Sequence, residues 1–216
     1  MNEDADRGPT EWTDSVGVGP WVGEWPADPR LDPLLLADGD RRNVVDRYRY
    51  WTVEAIVADL DRGRHPFHVA IENFGHDLNI GTVVRTANAF LAAEVHIVGR
   101  RRWNRRGAMV TDRYQHVRHH ADVAALAAFA AARDLALVAV DNGPGSVPLE
   151  TTSLPAACVL LFGQEGPGLT PAARDAAAFT VSIAQFGSTR SINAGVAAGI
   201  AMHAWIREHA DLRRAT

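Results

Sequence analysis

Arg85 lies inside an otherwise apolar segment of the chain, among Val83, Val84, Ala87 and Phe90. A guanidinium group is permanently charged and presents a planar fork of N–H donors, so it can hold a phosphate by two parallel hydrogen bonds. An arginine on the solvent face of a helix is the simpler interpretation of the same residue. A chemical role for Arg85 therefore requires other polar groups that the fold brings to the same place.

A glycine-rich segment, GQEGPGL at residues 163–169, is the second place where chemistry is possible. Glycine permits positive φ and lets a ligand approach the backbone closely, and Glu165 at the turn can accept hydrogen bonds from backbone N–H groups. The segment lacks the Gly-Lys-Ser/Thr ending of a P-loop and does not form the G-x-G-x-x-G dinucleotide fingerprint. An ordinary tight turn before a helix is the alternative interpretation.

The third segment is FGSTRSINAGVAAGIA, residues 186–201. Ser191 is a candidate helix N-cap and Asn193 falls in the first turn, so capping alone could explain both polar residues. The helix that follows contains Gly195 and Gly199, each of which costs about 1 kcal/mol relative to alanine. We therefore predict that this helix packs closely against a neighbouring segment or subunit.

These three segments belong to a regular alternation of predicted strands and helices. The predicted strands are residues 67–72, 94–99, 135–141, 157–163 and 179–183, and the predicted helices are residues 80–92, 122–134, 170–177 and 191–210. Such alternation, with short and nearly continuous apolar strands, is typical of a parallel sheet covered by helices on both faces. The predicted fold class is therefore α/β with a mostly parallel sheet.

Ligands of such sheets bind beyond the carboxyl ends of the strands. Loops 73–79, 163–169 and 184–190 occupy these positions in the predicted order of elements, and we expect the chemistry to lie among them. Asp141 and Asn142 end another predicted strand and could border the same region, although a turn is the simpler interpretation.

Residues 1–46 differ from the rest because they are rich in Gly, Pro, Asp and Trp and show no sustained periodicity. We predict an acidic, partly flexible extension here, with residues 1–30 as a flexible tail, and a separate domain over residues 47–216. A short helix is predicted within residues 31–39 and a longer one over residues 43–61. Three tryptophans of the tail could dock on the body or on a partner: Trp12, Trp21 and Trp25.

Composition limits the class of protein. Apolar residues make up 47% of the 216 residues, which is enough for a proper core. No continuous apolar run of about 18 residues predicts a transmembrane helix, and the acidic, polar N-terminus lacks the basic and apolar regions of a signal peptide. Cys158 is the only cysteine, so no intrachain disulfide can form, and we expect a cytoplasmic protein.

Charge is distributed unevenly along the chain. Residues 1–46 hold eleven acids and four arginines, a balance of −7, so the formal net charge of −4 leaves +3 on residues 47–216. Seven arginines and one acid lie within residues 99–120, interleaved with Trp103 and Tyr114. Cations for phosphates and aromatics for unstacked bases suit RNA, although a solvated basic loop is the alternative. The predicted RNA-binding residues are Arg85, Arg101, Arg102, Arg105, Arg106 and Arg113.

Three histidines in the same stretch, His116, His119 and His120, could suggest a metal site. No cysteine or carboxylate completes a set at the spacing of known metal sites, so we expect no metal. Cys158, inside a predicted strand, is interpreted as a small core residue.

Together, NFGHDLNIGTVVRTANAF (73–90), LLFGQEGPGL (160–169) and the run from Ile183 through SINAGVAAGIA resemble three ordered motifs of the SpoU/TrmH family, in the SPOUT superfamily of RNA methyltransferases. The resemblance covers about residues 66–210. It implies a parallel sheet whose C-terminal part forms a trefoil knot, S-adenosylmethionine bound in that knot, and a homodimer that completes the site. Most members methylate a ribose 2′-hydroxyl of tRNA or rRNA, so the resemblance implies this activity.

By position in these motifs, the resemblance also implies a catalytic set and a cofactor site. The catalytic set is Arg85, Asn79, Glu165, Ser191 and Asn193. The cofactor-binding residues are Gly163, Glu165, Gly168, Leu161, Ile183 and Ile192. The chain departs from the common family pattern at Leu91, Ala184, Gln185, Ile192 and Gly195. The final helix, with its small residues and Trp205, is a candidate dimer surface.

Methyl transfer from a sulfonium to a hydroxyl is an in-line displacement of an already activated methyl group, so it requires no metal. The enzyme must align the reacting atoms and support the developing alkoxide. The family mechanism assigns proton abstraction to the arginine at position 85. Because a guanidinium is normally protonated, positioning and charge stabilisation are physically easier roles for Arg85.

Two other classes of protein are consistent with parts of the pattern. A non-catalytic RNA-binding paralogue would keep the fold, but the intact polar set argues against it. A conventional Rossmann methyltransferase or nucleotide enzyme would carry a glycine fingerprint at the first strand–helix turn, where this chain reads ENFGHDLNIG instead.

Overall fold

The computed structural model describes residues 17–75, 79–164 and 166–214. The chain divides into two compact units after Asp59, later than the domain boundary predicted at residue 46. None of the helices in the described part of the chain combines the length and the apolar character needed to cross a membrane.

The first unit contains a short helix, α1 (Pro33–Asp38), within the predicted residues 31–39. Asp32 caps this helix, because its side chain accepts a hydrogen bond from the backbone N–H of Leu34. Pro33 occupies the first helical position, where its missing N–H costs nothing. The predicted short helix is therefore confirmed.

The helix predicted over residues 43–61 is wrong in its first part. The structure has a single 3₁₀ turn (Asp46–Tyr48) and then helix α2 (Val53–Asp61). Tyr50, between them, has a φ of +64°, which is a left-handed conformation that an α-helix cannot contain. The helical periodicity of this segment is consequently confined to α2.

The fully buried carboxylate of Asp40 organises the first unit. It accepts hydrogen bonds from Arg42 Nε at 2.9 Å and Nη2 at 2.7 Å and from the backbone N–H of Tyr50 at 2.9 Å. Burial raises the pKa of Asp40, but these hydrogen bonds outweigh burial and bring the pKa to about 2. The backbones of Asp40 and Val18 also exchange two hydrogen bonds, so part of the predicted tail, residues 1–30, contacts this unit.

The second unit is built on a seven-stranded sheet in which every neighbouring pair of strands is parallel. The strands are β1 (His68–Asn73), β2 (Val95–Gly99), β3 (Val117–His120), β4 (Ala136–Val140), β5 (Val147–Pro148), β6 (Cys158–Phe162) and β7 (Phe179–Ser182). Their order in the sheet is β3-β2-β1-β6-β4-β7-β5. The predicted parallel sheet is confirmed.

Strands β3 and β5 lie outside the predicted set. β3 runs through the arginine-rich segment and begins with two exposed residues, so it lacks the apolar run of a buried strand. β5 has only two residues. Both strands are edges of the sheet, where pairing on one side is sufficient and the sequence signal is weakest.

Two pairs of helices cover the two faces of the sheet. The helices are α3 (Ile80–Ala89), α4 (Val123–Ala131), α5 (Pro171–Ala176) and α6 (Ala194–His209). Leu160 and Phe162 of β6 pack on the face covered by α3 and α6, whereas Val159 and Leu161 pack on the face covered by α4 and α5. Successive side chains of this strand are thus buried on opposite faces of the sheet, which explains why its apolar run is continuous.

Helices α3 and α6 meet through small residues. A Cβ atom added to Gly195 would lie 3.1 Å from Cγ2 of Thr82, and one added to Gly199 would lie 3.9 Å from Cγ2 of Thr86. The predicted close packing of the final helix is confirmed, and at these positions the neighbour belongs to the same chain. This approach offsets the cost of the two helical glycines.

Trp205 of α6 is 1% exposed and packs within the chain. Its ring centroid lies 4.5 Å from that of Phe67, and its indole N–H donates to the carbonyl oxygens of Pro155 and Ala156, both at 3.2 Å. The prediction that Trp205 contributes to a dimer surface is therefore wrong, because the side chain has no surface left to offer.

Three buried imidazoles form a hydrogen-bonded chain across β1, β2 and β3. His68 Nδ1 lies 3.0 Å from His96 Nε2, and His96 Nδ1 lies 2.9 Å from His120 Nε2. Burial, with repulsion from His68 and His120 as a further cause, lowers the pKa of His96 to about 2 and keeps its ring neutral. His119 lies outside this chain and contacts the carbonyl oxygen of Gly99 at 2.7 Å.

Candidate functional site

A cavity of about 430 Å³ opens at the carboxyl ends of β4, β6 and β7. Its wall includes residues 140–142, 162–164, 166–169 and 191–194, together with Arg174, Ile183, Gln185 and Ala197. Asp141 and Asn142 therefore border the cavity that the second and third sequence motifs form. Backbone from three strand ends shares one concave surface, which is the expected place for a ligand in a parallel sheet.

The second motif forms a tight loop that only glycine permits. A Cβ atom on Gly163 would lie 2.2 Å from the carbonyl carbon of Gly168. Gln164 and Gly168 exchange two backbone hydrogen bonds, at 3.2 and 3.1 Å, and Gly168 has a φ of +70°. Glycine at position 163 therefore allows the two ends of this loop to approach each other, and both glycines contribute to the cavity wall. Glu165, predicted as a catalytic and cofactor-binding residue, lies outside the described residues.

Gln164 connects the first motif to the second. Its Oε1 accepts a hydrogen bond from the backbone N–H of Phe74 at 3.1 Å, and a Cβ atom on Gly75 would lie 3.1 Å from the same oxygen. Residues 76–78 of this loop lie outside the described residues. Gln164 could not be singled out from the sequence, because the pairing of β1 with β6, which brings these loops together, has no local sequence signal.

Asn193 connects the third motif to the first. Its Nδ2 donates a hydrogen bond to Oδ1 of Asn79 at 2.9 Å. Its Oδ1 accepts from the backbone N–H groups of Gly195 at 2.9 Å and Val196 at 3.3 Å, and so caps α6. Asn79 itself precedes the first residue of α3. Two predicted catalytic residues from distant parts of the chain therefore touch at the rim of the cavity.

Ser191 is not the N-cap of the final helix. Helix α6 begins at Ala194, and Asn193 holds the capping position. Ser191 instead lies in the cavity wall, two residues before the cap. The N-cap prediction for Ser191 is therefore wrong, although the residue remains beside the ligand space.

Arg85 lies on α3 with its side chain exposed, and it is not part of the cavity wall of the single chain. Val83, Val84 and Ala87 form the buried face of this helix, so the position between them faces away from the core. Within the part of the chain that the structure describes, the guanidinium makes no hydrogen bond or ion pair. It is therefore available to a ligand or to another chain.

Polar groups of the cavity wall are unequally satisfied. Asp141 pairs with Arg174, whose Nη2 and Nε lie 2.8 and 3.1 Å from Oδ2 of the carboxylate. The side-chain amide of Asn142 donates to the carbonyl oxygen of Arg190. Oε1 of Gln185, by contrast, is buried without a hydrogen-bond partner among the described residues. A buried acceptor of this kind is stabilised by a ligand that donates to it.

The remaining predicted cofactor contacts divide into two groups. Gly163, Gly168, Ile183 and Ile192 all contribute to the cavity wall. Leu161 is fully buried in β6, with its side chain in the core under α4 and α5. Four of these positions therefore lie together in the cavity wall, whereas the side chain of Leu161 does not contribute to it.

The arginine-rich segment is fixed against the first turn of α3. A Cβ atom on Gly81 would lie 2.6 Å from the backbone nitrogen of Ala108, so the two segments are in van der Waals contact. Arg105 pairs with Asp112 at 3.4 Å. The other predicted arginines of the segment are exposed, and their side chains make no hydrogen bond or ion pair with described residues: Arg101, Arg102, Arg106 and Arg113.

The second unit is a parallel α/β unit with a cavity at the carboxyl ends of its strands, which is the class of fold that binds ligands at this edge of the sheet. Residues 66–203 match the model of the SpoU rRNA Methylase family. The chain belongs to this family.

Individual relatives agree with this assignment. An uncharacterized tRNA/rRNA methyltransferase of Mycolicibacterium smegmatis is 33% identical over 141 residues, which cover 62% of this chain and 44% of that protein. The chain spans less than half the length of the curated relatives it matches.

Solved structures show the same fold. The SpoU methyltransferase AviRb of Streptomyces viridochromogenes, in complex with AdoMet, matches with a TM-score of 0.61 and 24% identity over 69% of this chain and 60% of that chain. A structure described as giving insights into the 2-OH methylation of C/U34 on tRNA matches with a TM-score of 0.57 and 28% identity, over 68% and 97% of the respective chains.

Proposed function

We propose that this chain is an S-adenosylmethionine-dependent RNA methyltransferase that transfers a methyl group to a ribose 2′-hydroxyl of tRNA or rRNA in the cytoplasm. The observation that carries the proposal is the contact of the three motifs at one cavity. Asn79 of the first motif meets Asn193 of the third, and Gln164 of the second motif binds the backbone of Phe74 in the first. Family membership supports the same activity.

The cavity suits S-adenosylmethionine. Its volume of about 430 Å³ falls within the range of small-molecule sites. Gly163 and Gly168 form the tight loop in its wall, and Oε1 of Gln185 is an acceptor without a hydrogen-bond partner among the described residues. In this proposal Gly163, Gly168, Ile183 and Ile192 hold the cofactor, with Glu165 of the same loop, and the segment after β6 forms the trefoil knot of the family.

When bound, the cofactor supplies a methyl group activated by a sulfonium. The chain then has to hold the acceptor ribose in line with that methyl group and exclude water from the reaction. In this proposal Asn79, Ser191 and Asn193 orient polar groups of the substrate. The contact between Asn79 and Asn193 and the position of Ser191 in the cavity wall support this role. In this proposal Arg85 binds a phosphate next to the acceptor and stabilises the developing alkoxide, for which a permanent cation is well suited.

A homodimer is part of the same proposal. Val196 and Ile200 of α6 are 54% and 39% exposed, and Arg85 lies on the adjoining helix α3. A second copy that covers these apolar side chains leaves Arg85 at a site to which both copies contribute. Multi-angle light scattering of the purified chain measures whether the particle has twice the mass of one chain.

The basic segment supplies the contacts to RNA in this proposal. The exposed Arg106 immediately precedes Gly107, where an added Cβ atom would lie 3.3 Å from Cα of Gly81 in the first turn of α3. In this proposal a bound RNA backbone therefore passes close to the helix that carries Arg85. Charge neutralisation of phosphates supplies affinity without sequence selectivity. The choice between tRNA and rRNA therefore depends on shape contacts elsewhere.

The deciding experiment incubates purified protein with isotopically labelled S-adenosylmethionine and unmodified total RNA, followed by mass analysis of the nucleosides. The expected product is a 2′-O-methylated nucleoside. A base-methylated product would contradict the ribose assignment. Absence of both cofactor binding and methylation, with RNA binding retained, would favour the non-catalytic RNA-binding paralogue.

A further inference from the structure

A cluster of possible metal ligands lies at the amino ends of β1 and β2, away from the cavity at the carboxyl ends. His68 begins β1, and Glu94 immediately precedes the first residue of β2. Each of His68, Glu94 and His96 offers one ligand atom, and these atoms lie within 4.8 Å of one another. Among the described residues, this is the one group of three histidine, cysteine or acidic side chains with such spacing.

We propose that His68, His96 and Glu94 bind a divalent transition-metal ion of the zinc type. Nδ1 of His68, Nε2 of His96 and one carboxylate oxygen of Glu94 are the ligands, with a water molecule in the fourth position. Two imidazoles and a carboxylate form a known set of zinc ligands. The proposal is independent of the methyltransferase activity, because none of these residues lies in the cavity wall.

The two imidazole nitrogens are close to the separation that a metal ion requires. They lie 3.0 Å apart in the metal-free arrangement. Zn–N distances of about 2.0–2.1 Å in a tetrahedral site place two nitrogens roughly 3.3 Å apart. A displacement of a few tenths of an ångström therefore converts the hydrogen-bonded pair into a pair of metal ligands, without a change in the sheet.

Neighbouring groups hold two of the three ligands, His96 and Glu94, in a defined orientation. His96 Nδ1 lies 2.9 Å from His120 Nε2, so a metal on Nε2 of His96 requires Nδ1–H to donate to His120. Arg118 binds the carboxylate of Glu94 through Nε at 2.7 Å and Nη2 at 3.1 Å. Such outer partners orient metal ligands and fix their protonation in characterised sites.

The site is shielded on one side and open on the other. The ring of Phe129 packs on His68, His96 and His120, with centroid separations of 5.8, 4.7 and 5.4 Å. The side chain of Glu94 is 22% exposed, so an ion can enter at the carboxylate. The alternative is that the imidazole chain serves only to satisfy buried polar groups on the sheet.

Titration with Co²⁺ distinguishes a metal site from an imidazole chain with a purely structural role. The full chain is used without a polyhistidine tag and after treatment with a chelator. The expected result with Co²⁺ is a saturable visible absorption spectrum at one ion per chain, displaced by Zn²⁺. The variants Glu94→Gln and His68→Gln should lose this spectrum. The control His116→Gln removes a surface histidine that pairs with Asp61 at 2.8 Å, and it should bind the ion as the wild type does.

Two further variants test the outer partners. His120→Gln should weaken metal affinity by about 10- to 100-fold. Arg118→Gln removes the group that orients the carboxylate of Glu94 and should likewise weaken metal affinity. The proposal is overturned if the wild-type chain gives no saturable Co²⁺ spectrum. It is equally overturned if Glu94→Gln and His68→Gln, with unchanged circular dichroism, bind the ion as the wild type does.

Discussion

The side chain of Asn193 donates a hydrogen bond to that of Asn79 at 2.9 Å, across a separation of 114 residues in the chain. The same amide caps α6 through its oxygen, which accepts from the backbone N–H groups of Gly195 and Val196. One side chain therefore fixes both the first turn of α6 and the position of that turn beside α3. This link also sets the position of the cavity wall formed by residues 191–194.

Replacement of Asn193 by alanine removes both functions. We expect a loss of about 1 kcal/mol of stability from the missing cap, seen as a lower midpoint of thermal unfolding. Affinity for S-adenosylmethionine, measured by calorimetry, should fall as well, because the wall loses its anchor. The control Ser191→Ala alters the same wall without touching the cap and should unfold like the wild type. An unchanged midpoint for Asn193→Ala would contradict the capping role.

Gly163 is the position where a single methyl group should distort the loop that forms part of the cavity wall. A Cβ atom there meets the backbone of Gly168 at 2.2 Å, and backbone cannot move aside as a flexible side chain does. Gly163→Ala should destabilise the chain by about 1–3 kcal/mol and abolish cofactor binding. Gly143→Ala is the matched control, since a Cβ atom at Gly143 has no neighbour within 4 Å among the described residues. Equal cofactor affinities for the two variants would refute the constraint.

The buried strands and the helices α3 to α6 are predictable from the sequence, because their patterns are local. The strands β1, β2, β4, β6 and β7 and the helices α3 to α6 all fall within or beside predicted ranges. Each of them carries an apolar run or a periodic apolar face that depends only on its neighbours in sequence. The edge strand β3 was not predicted because its exposed residues give it no apolar run. Helix α2 was predicted to begin too early because a single left-handed residue, Tyr50, has no signature in the apolar periodicity.

The candidate site is predicted less completely than the fold. Polar residues of the motifs could be singled out, but their partners depend on which strands are neighbours in the sheet. Gln164 contacts the first motif only because β1 pairs with β6 in the sheet. The ion pair of Asp141 with Arg174 likewise depends on tertiary packing. The exposure of Arg85 could not be read from the sequence either, because a cation in an apolar helix can face either side.

RNA affinity should depend on the exposed arginines of the basic segment. In the triple variant Arg101→Gln, Arg102→Gln, Arg106→Gln, we expect weaker RNA binding and a salt dependence reduced by about one unit of slope for each phosphate that is no longer neutralised. The double variant Arg207→Gln, Arg213→Gln changes exposed arginines outside that segment and serves as control. Fluorescence anisotropy at several salt concentrations measures both quantities. Equal slopes for the two variants would place the RNA-binding surface elsewhere.

The stability of the first unit should depend on pH through the ionisation of Asp40. Its pKa of about 2 in the folded chain lies below the ordinary value of 3.8, so the folded state favours the ionised form. The resulting stability is present above pH 3.8 and disappears as the pH falls towards 2. Asp40→Ala should cost about 3 kcal/mol near neutral pH, because it leaves Arg42 without this carboxylate. Urea unfolding of the wild type and of Asp40→Ala at several pH values measures these effects. The control Asp46→Ala, at a side chain that is 96% exposed, should be nearly neutral in the same measurement.

Replacement of Arg85 should reduce methylation without changing cofactor affinity or the stability of the fold. Its side chain is exposed and makes no hydrogen bond or ion pair in the described part of the chain, so Arg85→Ala should change stability by less than about 0.5 kcal/mol. Cofactor affinity should remain at the wild-type value, because the residue is absent from the cavity wall.

Methylation by Arg85→Ala should nevertheless fall by about 100-fold or more, since the alkoxide loses its cation. Arg85→Lys keeps the charge without the two parallel donors and should retain part of the activity if charge stabilisation dominates. Single-turnover methylation of unmodified RNA, with cofactor binding measured on the same samples, provides the comparison. Wild-type rates in Arg85→Ala would remove this residue from the mechanism and leave it as an ordinary solvent-facing arginine of α3.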